Sequence, residues 1–449
     1  MSTQPRTAAP TMVNGFDPER MSDLSPHTRD AVERRNRVLG PVYRLFYHDP
    51  VEVVRGSGTY LYDAEGNEYL DAYNNVPCIG HSHPAVADAV TRQLHTVNTN
   101  TRYLQPSITE YAEDLLSTFP DALSNIVFTC SGSEANDLAL RVAKYVTGRR
   151  GIIVTANAYH GVTETVAAIS PSLGARSPLD IHVRTVDPFD HRTAIDDALG
   201  ERLRTQIRSA VDDLERHGVG LAAFIADSIF SSDGVRSDPT GFLRPAIDEV
   251  HRAGGLYIAD EVQPGFGRTG ESWWGFQRHG IEPDIATIGK PMGNGMPIAA
   301  AVFRPDLLVE FGRNIRYFNT FGGNTVCVAA AQAVLDTIRA EGLIERAARV
   351  GANLKRAVQH ATADVDMIGE VRGCGLFLGA DVVDPVDGTP DAAGAAAVVN
   401  ELRRRRVLIS ASGPAGNVLK VRPPLAFGEP DADRFLTEFA AALTSVAQR

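Results

Sequence analysis

The sequence predicts an α/β fold, a mainly parallel sheet covered by helices on both faces, with a smaller α+β unit beside it. Short apolar runs recur through the middle of the chain, at residues 126–130, 152–155, 222–226, 256–259, 285–288 and 298–303, with helical segments between several of them. Such runs are what strands buried on both faces require. Ionisable and polar residues follow the runs: Ser131, Tyr159, Asp227, Asp260 and Lys290 each come after one. Open parallel sheets collect ligands at the carboxyl ends of their strands, so these residues are expected at one rim.

In chain order, residues 1–25 are rich in Ser, Thr, Pro and Ala and are expected to be mobile until something pins them. Residues 51–73 mix β-branched and aromatic residues around DAEGN (63–67), a hairpin signal. A helix starts at Pro84 and runs to Leu94, with Val86, Val90 and Leu94 on one face. NTNTRYL (98–104) is too polar and irregular for core. After the strand at 126–130 comes a tight turn, 131–133, then a helix over 134–146 with Leu138, Val142 and Tyr145 on a shared face. Beyond Thr325 a long helical stretch leads to one more strand, 371–380, and a Pro, Asp and Gly loop at 384–394. The expected division is a mobile segment 1–25, the N-terminal part of a small domain at 26–75, a large domain at 76–328 and the rest of the small domain at 329–449.

Composition narrows the function classes. The 449 residues are 43% hydrophobic and 22% charged, as in soluble globular proteins. A formal net charge of -11 argues against nucleic acid or anionic lipid as a main partner, since both need a basic face. The one basic run, ELRRRRV (401–407), reads as the solvated side of a helix. Four cysteines (Cys78, Cys130, Cys327, Cys374) lie far apart without zinc spacing, which fits free thiols in a reducing compartment. His81 and His83 in GHSHP lack a third ligand, so no metal is expected. No stretch has the make-up of a signal peptide or the length of a membrane span, which makes the cytoplasm the expected location.

The chemistry centres on Lys290, delivered by PDIATIGKPMGNGMP into a Gly-rich loop where partial desolvation lowers the pKa of an amine. GLYIADEVQ (255–263) ends a second strand in Asp260 and Glu261. Ser131, Gly132 and Ser133 open a helix, where backbone N–H groups seat an anion, although an ordinary N-cap explains a serine there equally well. Pyridoxal 5'-phosphate needs all three parts: an anion seat, a carboxylate for its ring nitrogen and an amine for its aldehyde. Tyr159 in AYHG follows a strand and either stacks on the ring or plugs the core, while Gln263 is a candidate to hydrogen-bond the phenolic oxygen and Thr320 in FNTFGGN to add a hydroxyl to the phosphate.

SGSEANDLALR (131–141), AYHG (158–161), IADEVQPGFGRTG (258–270), DIATIGKPMGNGMP (284–297) and FNTFGGN (318–324) together resemble the class III aminotransferases, fold type I pyridoxal phosphate enzymes, from about Gly40 onward. The resemblance implies a mainly parallel seven-stranded sheet, phosphate held by the first motif, Tyr159 on the ring, Asp260 on the ring nitrogen and Lys290 as the catalytic lysine. It also implies that Thr320 reaches the phosphate in the neighbouring subunit, so that the active unit is a homodimer with shared sites, with tetramers left open.

Two departures from that family stand out. Members that use 2-oxoglutarate carry an arginine before the prolines of R-F-A-P-P; LKVRPPL places Lys420 there, with Arg422 two positions on. They also carry a glutamate in EPxQGEGG, and DSIFSSDG (227–234) puts Ser232 at its position. A lysine is a point charge rather than a planar fork, so it does not hold a carboxylate bidentately. NNVPCIGHSHP (74–84), NTNTRYL, GKPMGNG (289–295) and RVLISASGPAGNVLKVRPPL (406–425) are similar to the ethanolamine-phosphate phospho-lyase branch, whose substrate carries an amine and a dianion but no carboxylate. The expected function is therefore elimination of phosphate and ammonia from an O-phosphorylated amino alcohol, with Arg102, Lys420 and Arg422 as substrate-binding cations. The alternative is transfer of the amine of a primary amine or ω-amino acid to pyruvate or another oxo acid. A regulator without catalysis would lack Lys290 or Asp260, and both are present.

Overall fold

In the computed structural model, which describes residues 12–189 and 196–448, every apolar run named above lies on a strand. In chain order the strands are β1 (Val53–Ser57), β2 (Tyr60–Asp63), β3 (Glu68–Asp71), β4 (Asn125–Thr129), β5 (Gly151–Thr155), β6 (Val183–Val186), β7 (Leu221–Ala226), β8 (Leu256–Asp260), β9 (Ile285–Ile288), β10 (Ala299–Phe303), β11 (Ile368–Cys374), β12 (Phe377–Val382), β13 (Val407–Leu408), β14 (Ser410–Ser412) and β15 (Val418–Val421). Among the described residues the central sheet has seven strands in the order β4-β10-β9-β8-β7-β5-β6. β10 runs antiparallel to both neighbours, and the other pairings are parallel. The carboxyl ends of β4, β5, β7, β8 and β9 therefore share one rim.

Alternation along these strands feeds two separate cores. Ile153, Phe224 and Ala286 point to one face of the sheet, while Ile152, Ile225, Ile258 and Ile285 point to the other. Helices cover both sides, so neither face of the sheet meets water and no polar residue is needed until a strand ends. The helix Gly132–Thr147 packs across β9 and β10, which fixes its N-terminus at the rim.

Two smaller sheets flank this layer, β1-β2-β3-β13 and β11-β12-β15-β14. β13 pairs in parallel with β3, which joins the N-terminal and C-terminal stretches of the chain. The turn expected at 63–67 is there: Asp63 accepts from the backbone N–H groups of Glu65 and Asn67, and Gly66 takes φ +82°.

Several expectations need correction. The single strand at 371–380 is a hairpin, β11 and β12, because Gly375 turns the chain at φ +52° between Cys374 and Phe377. Leu94 and Tyr145, expected to share a face with the apolar residues of their helices, are exposed, each lying near the end of its helix. In ELRRRRV only part of the run is solvated: the Arg403 side chain is 14% exposed and pairs with Asp49 at 2.7 Å. Residues 1–11 lie outside the described residues, but 12–25 are tied to the body. Phe16 donates to the Leu45 carbonyl at 2.8 Å, and Asn14 is fully buried.

Candidate active site

Five strand ends converge on one pocket at the rim, lined by Gly132, Ser133, Tyr159, Asp227, Asp260 and Lys290 among others. Asp260 is the last residue of β8, and Lys290 follows β9 by two positions. Because β8 and β9 are parallel neighbours in register, Asp260 beside Thr287, their side groups reach the same space. That proximity comes from the pairing of two strands whose apolar interiors allow no other depth.

Asp260 is buried and satisfied on all sides. Its Oδ2 accepts from Asn136 Nδ2 at 3.0 Å and from His160 Nδ1 at 2.7 Å, and its Oδ1 from the Val262 N–H at 3.1 Å. Asn136 is itself aligned by Thr287, which donates to its Oδ1 at 2.6 Å, and by its own bond to the His160 carbonyl at 2.7 Å. A carboxylate held this way stays where it is put. Lys290 faces the same pocket, and burial pushes its amine down to about 8, with the charge of Arg422 adding to the shift and Asp260 and Asp227 opposing it. An amine near neutrality is ready to act as nucleophile and base.

The anion seat has a division of labour. Ser131 is an exposed N-cap whose Oγ accepts from the Glu134 N–H at 3.3 Å, while Gly132 and Ser133 line the pocket. Gly132 allows close approach to the next strand end, since a Cβ there would stand 2.9 Å from Val262 Cγ2. Gly161 has φ +138° and lies against Ser133, whose Oγ accepts from the Val162 N–H at 3.1 Å. These two glycines leave a cradle that side chains would fill. Together with an amine and a fixed carboxylate in one cavity, the cradle fits pyridoxal phosphate.

Lys420 lies on β15 and Arg422 directly follows its last residue, two positions apart and so on one face. Both are buried, at 7% and 5% exposure. The Lys420 Nζ is 5.7 Å and the Arg422 Cζ 5.5 Å from the centre of the same Phe377 ring. Arg422 donates to the Tyr73 carbonyl at 3.2 Å and to Gln263 Oε1. Burial and the neighbouring Arg422 push the Lys420 amine down to about 7, against the pull of Asp227. Among the described residues no carboxylate is hydrogen-bonded or ion-paired to either cation. Asp233 stands next to Ser232, and burial raises it to about 7; it accepts from Thr155 Oγ1 at 2.8 Å and the Asn157 N–H at 3.2 Å.

The structure places the remaining expected residues less simply. Gln263 lines the pocket, but its amide is engaged by Arg422 and by Ser231, to which it donates at 2.6 Å. Arg102 and Thr320 are exposed and do not line this chain's pocket. Arg102 stacks 3.7 Å from the centre of the Phe318 ring, which puts NTNTRYL against FNTFGGN. Beside them Tyr103, Leu104 and Phe321 are also exposed, an apolar surface around two polar residues. His81 pairs with Asp71 at 2.8 Å.

Sequence reading missed Asn136, His160 and Phe377 as parts of the site. The first two sit inside SGSEANDLALR and AYHG, and a polar residue on the buried face of an amphipathic helix was the available signal for Asn136.

A sequence model of the family described as "Aminotransferase class-III" matches residues 46–443. A Drosophila melanogaster protein named alanine--glyoxylate aminotransferase 2-like is 40% identical over 433 residues, covering 93% of this chain and 88% of that protein. Ethanolamine-phosphate phospho-lyase homolog 1 of Caenorhabditis elegans is 37% identical over 92% of this chain and 93% of its own length. Among solved structures, a phospholyase from Arthrobacter in complex with phosphoethanolamine superposes with a TM-score of 0.90 at 44% identity, covering 93% of this chain and 100% of that one.

Proposed function

The chain belongs to the class III aminotransferase family of pyridoxal phosphate enzymes, and from that premise we propose that it is a phospho-lyase acting on an O-phosphorylated amino alcohol such as ethanolamine phosphate. The observation that carries this reading is the buried pair Lys420 and Arg422: Arg422 donates to neutral groups, the Tyr73 carbonyl and Gln263, and both side chains pack on one aromatic ring. Two desolvated cations without a paired carboxylate call for a ligand that brings two negative charges, and a phosphate monoester is such a ligand. An α-carboxylate would bring one. The likeness to a phospholyase bound to phosphoethanolamine supports the same substrate class.

Pyridoxal phosphate, when bound, supplies an electron sink for the carbon next to the substrate nitrogen. The chain's own residues then have these roles. The backbone N–H groups at Gly132 and Ser133 would seat the cofactor phosphate, Tyr159 would cover the ring, and Asp260, braced by Asn136 and His160, would keep the ring nitrogen protonated. Lys290 would hold the cofactor at rest and would take the proton from the carbon beside nitrogen. Lys420 and Arg422 bind the substrate phosphate; when the C–O bond breaks, the bonding electrons leave with it as inorganic phosphate. Hydrolysis of the organic product gives acetaldehyde and ammonia. Thr320, with Arg102 as a further substrate cation, acts in the site of a second copy, a homodimer supported by their exposure on an apolar surface.

The relatives named as aminotransferases favour a second reading, transfer of the amine to an oxo acid. One incubation separates them. Ethanolamine phosphate without any oxo acid should yield equal amounts of inorganic phosphate and acetaldehyde. No release, together with turnover of an amine only when pyruvate is present, establishes the transaminase instead.

A further inference from the structure

Resting on the reading of Lys420 and Arg422 as the substrate-phosphate site, we propose that Asn14 is a positioning residue, the centre of an N-terminal strap that sets where those two cations stand. Asn14 is fully buried although it lies only fourteen residues into the chain. Its Oδ1 accepts from Ser410 Oγ at 3.1 Å, and Ser410 is the residue directly opposite Lys420 in the β14 and β15 pairing. Its backbone carbonyl accepts from the Tyr47 N–H at 2.7 Å. The strap thus touches the strand that backs one cation and a turn that leads to the other.

The second path runs through aromatic rings. Gly15 bridges to Phe46, and Phe16 donates to the Leu45 carbonyl at 2.8 Å, so the strap fixes residues 45–47. Tyr47 is held there at φ +69°, a conformation unfavourable for a tyrosine, with its hydroxyl donating to the Ile409 carbonyl at 3.1 Å. Phe46 meets Tyr73 edge-on, with ring centres 5.7 Å apart at 87°. Tyr73 in turn carries Arg422, its ring centre 4.8 Å from the guanidinium carbon and its carbonyl accepting from Arg422 Nε. Residues 12–16 therefore hold Lys420 through Ser410 and Arg422 through Phe46 and Tyr73. A strained turn kept by such a strap is a spring whose release would move the cations and leave Lys290 and Asp260 in place, since those belong to the central sheet.

The test uses the holoenzyme with Asn14→Ala and, as a milder change from the other side of the same bond, Ser410→Ala. Crystal structures of both should show Lys420 or Arg422 displaced, with Arg422 off Gln263 and Tyr73. The KM for ethanolamine phosphate should rise about fivefold, with kcat kept within about twofold, as losing one buried neutral hydrogen bond implies. Cations that stay in place, cations that move with no change in KM, or a fall in kcat at constant KM would each overturn the strap. If the unsubstituted enzyme releases no phosphate from ethanolamine phosphate, the phospho-lyase reading fails instead. The strap is then decided by the crystal positions alone, which need no substrate.

Discussion

His160 stands 2.7 Å from Asp260, its Nδ1 on the carboxylate Oδ2, and neither side chain meets solvent. A carboxylate only accepts, so Nδ1 carries the proton and donates. His160 lines the pocket beside Asp260, where a buried imidazole orients the acid proposed to face the cofactor ring. His160→Leu is expected to leave the fold intact while removing one charge-assisted hydrogen bond, which lowers kcat by about 10- to 100-fold. Dialysis followed by the cofactor absorbance would show weaker retention. Full activity and retention in His160→Leu would mean that Asn136 and the Val262 N–H suffice to hold the carboxylate.

Gly161 makes a sharper demand. Its φ of +138° is open to glycine alone, and a Cβ would collide with Ser133 Oγ, which lines the phosphate cradle. Gly161→Ala should therefore displace Ser133 and weaken cofactor binding about tenfold or more, the scale of one strained backbone residue. Titrating the apoenzyme with pyridoxal phosphate measures it. Wild-type affinity would show that the loop relaxes without disturbing Ser133.

Lys420 sets stability against function, and the pH dependence has a definite sign. Its folded value is depressed to about 7 from an ordinary 10.5, so the folded state binds fewer protons than the unfolded chain between those values. Below pH 7 the buried ammonium imposes its full cost, and above the unfolded value the cost is gone. Lys420→Met should thus raise Tm most near pH 6, with the gain shrinking as pH climbs toward 10.5. Substrate binding should go the other way. In the unsubstituted enzyme the KM for ethanolamine phosphate should rise as pH passes through 7 and the amine loses its charge, and that rise should vanish in Lys420→Met. Parallel Tm and KM curves for the two proteins would show that Lys420 is neither buried nor charged in the way described.

How much of this was legible beforehand follows from how each signal arises. Strands of the central sheet are buried on both faces, so their apolar runs and the polar residues that end them stand out in the sequence; Asp260 and Lys290 were visible for that reason. β6 was not, because only two of its four residues are buried at the sheet edge and VRTV gives a weak pattern. The β11 and β12 hairpin was hidden by Gly375, since a glycine inside an apolar run reads equally as a bulge or a turn. The link from Asn14 to Ser410 spans nearly the whole chain and depends on a tertiary contact that no local pattern encodes. Gln263 was assigned from its motif, but the cation it engages directly follows β15, 159 residues further on.

Thr320 and Arg102 are exposed and outside the lining of their own chain's pocket, as a shared site requires, and this gives the last prediction. Lys290→Ala removes the amine proposed as catalytic, and Thr320→Asp sets a negative charge where a neighbouring cofactor phosphate would lie. Each protein alone should be inactive. In a mixed dimer one site receives both damaged residues, whereas the other receives Lys290 from one copy and Thr320 from its partner, both intact. Random pairing makes half of the dimers mixed, so co-expression should restore about one quarter of the wild-type activity. Leu104→Asp, aimed at the exposed apolar surface around Arg102, should shift the protein to monomers in sedimentation and abolish turnover with it. Activity in Thr320→Asp alone, or a fully active monomer, would show that each chain completes its own site.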